Sequence, residues 1–71
     1  NFANKKSMFE TIEENIRDNY TSAKAVLGNL KKIGKIVPEN VSYDIFIELL
    51  NHKSRDVRVE AVKHLDKFSG D

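Results

Sequence analysis

The chain repeats one pattern of side chains at a spacing of 34 to 35 residues, and this repeat limits the possible folds more than any other feature. Residues 30–34 match residues 65–69 at a shift of 35 positions. Three apolar residues match earlier in the pattern at a shift of 34: Phe9, Ile12 and Ile16 correspond to Tyr43, Phe46 and Leu50. A unit of two helices and a turn has this period. The pattern therefore predicts two units that stack and cover each other's apolar faces.

Apolar side chains recur three and four positions apart in four segments, which predicts four helices. The segments are about residues 7–18, 21–34, 41–51 and 55–68. Residues 41–47 also alternate between apolar and polar side chains, as a strand would. Phe46 and the leucines at 49 and 50 break that alternation, so we expect a helix there too. The predicted fold is all-α, with two antiparallel helical hairpins stacked as a fragment of an α-solenoid.

The helix ends and the inward-facing stripes follow from the same pattern. We predict caps by Thr21 or Ser22, by Asn40 or Ser42, and by Ser54, because hydroxyl and amide oxygens accept free backbone N–H groups. Gly34 is predicted to end the second helix in the left-handed region that glycine enters freely. The predicted stripes are Met8, Phe9, Ile12 and Ile16; Ala23, Val26, Leu27, Leu30 and Ile33; Ile45, Phe46, Leu49 and Leu50; and Val57, Ala61, Leu65 and Phe68.

The predicted units occupy about residues 7–36 and 41–69 of a single domain that spans residues 1–71. A domain this small buries only about 60% of its unfolded surface, so we expect marginal stability from the chain alone. The chain begins at Asn1, which leads us to expect a fragment of a larger repeat protein. The absence of cysteine fits a reducing, intracellular (cytoplasmic) location, and no apolar run is long enough to span a membrane.

Residues 49–65 resemble the second half of a HEAT repeat, a unit of the armadillo/HEAT family of α-helical repeats. The matching positions are Leu49, Leu50, Val57, Arg58, Ala61 and Leu65. His52 stands where that family usually has Asp, so Arg58 lacks the acid with which the family forms a ladder between repeats. The resemblance is closer over residues 41–69 than over 8–36. It implies a helical-repeat fold and use as a binding scaffold, and it does not identify a partner.

Charge is sorted by helix, although the whole chain carries a formal net charge of only +1. The first predicted helix has four acids against one base, and the third has two acids and no base. The second helix and its tail have four lysines and no acid, and residues 53–67 have five bases against three acids. In HEAT-like stacks the second helix of each hairpin lines the concave side. The resemblance therefore implies a basic concave surface and an acidic convex one.

The basic surface is the candidate binding site. Lys24, Lys31, Lys32 and Lys35 lie within about 100° of one another on an ideal helix, opposite Leu30. Gly28 lies in the same stripe, where a partner's backbone could approach closely or a neighbouring helix could pack. The candidate site residues are Lys24, Gly28, Lys31, Lys32, Lys35, Arg55, Arg58, Lys63 and Lys67. Such a stripe suits a phosphate backbone or an acidic partner. Lysines on an exposed helix face also simply keep a protein soluble, and that alternative stays open.

No catalytic site, cofactor or metal site is predicted. Glu48 and His52, like Glu60 and His64, are four residues apart, and ordinary surface pairs explain this spacing better than a metal site. No serine is marked as an activated nucleophile, and no glycine-rich phosphate loop is present. We therefore expect a non-catalytic segment that binds a protein partner or adjacent repeats of the same chain, without a membrane or a small-molecule substrate. The alternatives are a DNA- or RNA-backbone binding module and a structural spacer.

Overall fold

The computed structural model describes residues 7–36 and 41–69, and all regular secondary structure in these ranges is helical. The four helices of the described residues are α1 (Met8–Asp18), α2 (Ala23–Ile33), α3 (Asp44–Leu49) and α4 (Arg55–Ser69). The all-α prediction is confirmed. The prediction of a helix, and not a strand, in the stretch that contains α3 is also confirmed.

Serine side chains begin the first two helices. Ser7 and Glu10 form a reciprocal capping box at α1, in which each side chain accepts the other's backbone N–H, at 2.9 and 3.1 Å. Ser22 caps α2 by accepting the N–H of Ala25 at 3.2 Å, which decides between the two predicted candidates in favour of Ser22. These bonds satisfy backbone donors that have no partner within the helix.

Helix α3 is shorter than the predicted segment of 41–51. Its N-cap residue is Tyr43, which makes no side-chain capping bond. Of the two predicted caps, Asn40 lies outside the described residues. Ser42 is not the N-cap residue, although its hydroxyl accepts the N–H of Asp44 at 3.4 Å. At its other end, residues 50–52 donate to carbonyls three residues back, so the chain tightens into turns after Leu49. The periodicity located the helix correctly but overestimated its length.

The prediction that Gly34 adopts a left-handed conformation is wrong. Its φ of −58° and ψ of −15° are right-handed helical values. The N–H of Gly34 continues the helical bonding to Leu30, and the two following residues donate to carbonyls three residues back. Helix α2 therefore ends by tightening into turns, and the chain does not reverse at this glycine.

The helices pack in the pairs α1–α2, α2–α4 and α3–α4. The core comes from the predicted stripes, and the rings of Phe46 and Phe68 stack within it at a centroid distance of 6.0 Å. Met8 was predicted to face inward but is 70% exposed, because it starts α1 beyond the packed part of the stripe. The buried apolar residues are Phe9, Ile12, Ile16, Val26, Leu30, Ile33, Ile45, Phe46, Leu49, Val57, Ala61 and Phe68.

Within the described ranges, no helix combines the length and apolar character that crossing a bilayer requires.

Candidate functional site

Side-chain hydrogen bonds hold α4 against the end of α2. The ring of His64 places Nε2 2.8 Å from the carbonyl oxygen of Leu30, and Nδ1 2.8 Å from that of Glu60. One turn further on, the Lys67 ammonium donates to the carbonyl of Gly34 at 2.7 Å. Lys67 supplies a donor to the carbonyl of Gly34 just past the end of α2, and His64 approaches the carbonyl of Leu30, which also accepts the helical N–H of Gly34. They fix the relative position of α2 and α4, and therefore the surface between them.

A groove of about 490 Å³ opens between α2 and α4 on their exposed side. Its apolar surface comes from Leu27, which is partly buried, and from Val59, which is 41% exposed. The lining residues are Leu27, Arg55, Asp56, Val59, Glu60 and Lys63. Most of the groove's surface is polar, with ionisable groups of both signs around a small apolar area formed by Leu27 and Val59.

The charges in this groove are unevenly distributed between the two helices. Helix α4 contributes two cations and two carboxylates, of which Lys63 and Glu60 form an ion pair at 3.6 Å. Helix α2 contributes no acid. Lys24 and Lys31 lie three residues before and four residues after Leu27, and both are exposed. Because residues at these spacings share a helix face, both lysines lie beside the groove. With them, cations outnumber carboxylates along this surface.

The other two lysines of the predicted stripe lie elsewhere. Lys32 and Lys35 line a separate cavity of about 560 Å³ that faces α1. Four residues of α1 complete this cavity: Met8, Thr11, Ile12 and Asn15. The structure therefore divides the basic stripe into a part beside α4 and a part beside α1.

Gly28 lies on exposed surface of α2. A Cβ atom built at this position would meet no heavy atom within 4 Å. The space that the sequence indicated at this glycine is therefore open, and no described neighbour packs into it.

Arg58 is directed away from the groove. Its guanidinium donates to the carbonyls of His52 and Lys53, at 2.6 and 3.0 Å, and so holds the turn between α3 and α4. Lys67, already bound to Gly34, lies 5.4 Å from the centre of the Phe68 ring. Of the nine candidate site residues, Arg55 and Lys63 line the groove, with Lys24 and Lys31 beside it.

His52 is a structural residue that the sequence reasoning missed. Its side chain is buried, with 4% exposed. The N–H of Ser54 donates to Nδ1 at 2.9 Å, and Nε2 lies 2.6 Å from the carbonyl oxygen of Tyr20. Because Nδ1 accepts, the neutral ring carries its proton on Nε2 and donates it to Tyr20. His52 therefore ties the turn before α4 to the turn before α2.

Neither histidine pairs with the carboxylate of the glutamate four residues earlier, so the interpretation as surface side-chain pairs is wrong for both. His52 and His64 bond to backbone groups, and Glu48 bonds instead to Arg17. Across residues 7–36 and 41–69, no three His, Cys, Asp or Glu side chains come together as a candidate metal site.

An ion pair joins α1 to α3. The Arg17 guanidinium lies 2.5 Å from Glu48 and 3.1 Å from Glu13. The hydrogen bond to Glu48 is the main reason that the pKa of Arg17 is raised above its usual value. Both members of the Arg17–Glu48 pair remain over 40% exposed, so water screens much of their attraction.

Comparison with known proteins finds no counterpart: no protein-family model, curated protein sequence or solved structure matches this chain at a significant level. The resemblance to HEAT-like repeats therefore stays a prediction.

Proposed function

We propose that this chain is a non-catalytic, HEAT-like repeat segment that acts as a protein-interaction scaffold. The observation that carries the proposal is the groove between α2 and α4. Its mixed lining suits a polypeptide, because Leu27 and Val59 offer apolar contact and the ionisable groups around them offer directional contacts. The proposal assigns no catalytic residue, no cofactor and no small-molecule substrate.

In this proposal α1–α2 and α3–α4 are two antiparallel hairpins of one stack. The sequence repeat supports this stack, because it pairs an apolar residue of α2 with one of α4: Leu27 corresponds to Val62 at a shift of 35. Leu27 is partly buried and lines the groove with α4, whereas Val62 is 54% exposed. Ile47 of α3 is similarly exposed, at 53%. An adjacent repeat stacked in the same way would cover Val62 as α4 covers Leu27.

Selection of peptides from a random phage-displayed library against the 71-residue chain tests the scaffold function. We expect the selection to enrich peptides that bind the chain. Their binding should be lost in the protein variant Val59→Arg, whose new side chain obstructs the groove, and retained in the variant Val62→Arg. The two variants are matched, because both place the same side chain at an exposed valine of α4. Failure to enrich any peptide, or equal binding by both variants, would contradict the proposal.

The second candidate is a module that binds the backbone of DNA or RNA. The observation in its favour is the set of exposed lysines on and after α2: Lys24, Lys31, Lys32 and Lys35. The ion pairs among the described residues involve Arg17 and Lys63, so these four lysines take no part in them. Phosphates would be contacted without regard to base sequence, and affinity would fall by about 0.9 log units per log unit of salt for each phosphate neutralised.

A titration of labelled duplex DNA at low salt tests this second function. Phosphates can contact lysines on both sides of α2, so Lys31→Glu and Lys32→Glu should weaken binding equally. A fragment with three or four phosphate contacts should bind only in the range of about 10⁻⁴ M at physiological salt. Absence of binding at low salt would exclude the nucleic-acid function for this chain.

A further inference from the structure

We infer that the groove between α2 and α4 binds an acidic protein segment that carries one large apolar side chain. The inference rests on the proposed scaffold function and specifies the chemistry of the partner.

The charges around the groove favour an acidic partner. The groove and its α2 side carry four cations, Lys24, Lys31, Arg55 and Lys63, against two carboxylates, Asp56 and Glu60. Helix α2 supplies two of these cations and no balancing acid. A neutral or basic segment would leave the lysines beside Leu27 without partners, whereas acidic side chains would reach them. The partner's charge is therefore negative.

The apolar part of the groove favours a partner with one large apolar side chain. Leu27 and Val59 face the same space from opposite helices, and Val59 retains 41% of its exposure. One leucine-sized side chain placed between them would remove that apolar surface from water. On the exposed side of α2, Gly28 leaves open space in which a partner's main chain can lie close to the helix.

A protein segment fits this groove better than a nucleic-acid backbone. Among the described residues, the lining includes no aromatic side chain on which an unpaired base could stack. The sugar–phosphate backbone also carries no leucine-sized apolar side chain to fill the space between Leu27 and Val59.

The length of α2 sets the length of the probe. Its 11 residues extend about 16 Å at 1.5 Å per residue. A segment of about 11 residues in a helix, or about five in an extended conformation, covers that distance. The probe is therefore a synthetic peptide of about 12 residues, rich in Glu with a central Leu. Its controls are the same peptide with Leu→Ser, the same peptide with every Glu→Gln, and a short DNA duplex.

Fluorescence anisotropy with the 71-residue chain measures the affinities. Replacing the peptide's leucine, or making Val59→Ser in the protein, should each weaken binding about three- to sevenfold, from the apolar area lost. Lys31→Glu should weaken it about fivefold, because an attraction becomes a repulsion at an exposed site. The matched variants Val62→Ser and Lys32→Glu change the same side chains away from the groove and should bind as the unmodified chain does.

Four results would overturn the inference. Equal losses in Lys31→Glu and Lys32→Glu would show that only net charge matters. Tighter binding of the duplex than of the acidic peptide would favour nucleic acid as the partner. The Glu→Gln peptide could bind as tightly as the acidic peptide or more tightly, while Val59→Ser still weakens binding. That pair of results would reject the acidic partner but leave the scaffold function intact. Failure of every peptide to bind would contradict both the acidic partner and the scaffold function.

Discussion

Replacing His52 by alanine should destabilise the fold more than its position in a turn suggests. The imidazole accepts the N–H of Ser54 and bonds to the carbonyl of Tyr20, with only 4% of the residue exposed. Alanine removes both bonds and leaves a donor and an acceptor without their partner at a buried site. It also removes the ring that packs against Tyr20 at a centroid distance of 4.7 Å.

The magnitude follows from these losses. A typical hydrogen bond contributes about 0.5–1.5 kcal/mol, and an unsatisfied buried group costs about 1–3 kcal/mol. Water entering the space left by the ring will partly satisfy the two backbone groups, so we expect a net loss of about 2–3 kcal/mol. A domain of 71 residues has roughly 4–10 kcal/mol of stability in total, so this loss is a large fraction of it.

Urea unfolding followed by circular dichroism measures the change, and His52→Asn is the informative control. The asparagine Oδ1 lies where the imidazole has Nδ1 and can accept the Ser54 N–H, but the side chain is too short to reach Tyr20. We expect Asn to cost about half of what Ala costs. A cost below about 0.5 kcal/mol for Ala, typical of ordinary surface positions, would show that His52 does not stabilise the fold. Equal costs for Ala and Asn would refute the proposed role of Nδ1.

Three further experiments test what stabilises the fold. Ala61→Glu places an unpaired charge at a fully buried site and should lower the free energy of unfolding by more than about 4 kcal/mol. Glu60→Ala should change it by less than about 0.5 kcal/mol, and thermal melts compare the two variants. Gly28→Ala should stabilise the chain by about 0.5–1 kcal/mol in urea unfolding, because the site is an exposed helix interior with open space. A double-mutant cycle on Arg17 and Glu48 should give a coupling below about 1 kcal/mol that shrinks with added salt; a larger, salt-independent value would contradict the exposed geometry.

The helices were predictable because their signals are local. Apolar residues at helical spacing located all four, and Ser22 and Ser54 lie where capping hydroxyls were expected. The end of α2 was not predictable in the same way. Glycine after a helix often adopts a left-handed conformation, but the chain here continues in right-handed turns through Gly34. That choice depends on the path to the next element, which local propensity does not encode.

The candidate site was predictable in composition but not in arrangement. An ideal helix places Lys31 and Lys32 on one broad face, and only the packing of α1 and α4 on either side of α2 separates them. The apolar residue Val59 lies off the predicted stripe of α4, so the sequence did not indicate it as part of a binding groove. His52 was missed because its partners are a backbone N–H and a distant carbonyl, and neither carries a sequence signal.

Chemical-shift mapping shows whether the groove between α2 and α4 is the binding surface. In a titration of the ¹⁵N-labelled chain with the acidic peptide, we expect the largest backbone amide shifts at Leu27, Val59 and Lys63, with little change at Ile12 and Lys32. Shifts concentrated at Ile12 and Lys32, or spread evenly over every exposed lysine, would contradict binding in this groove.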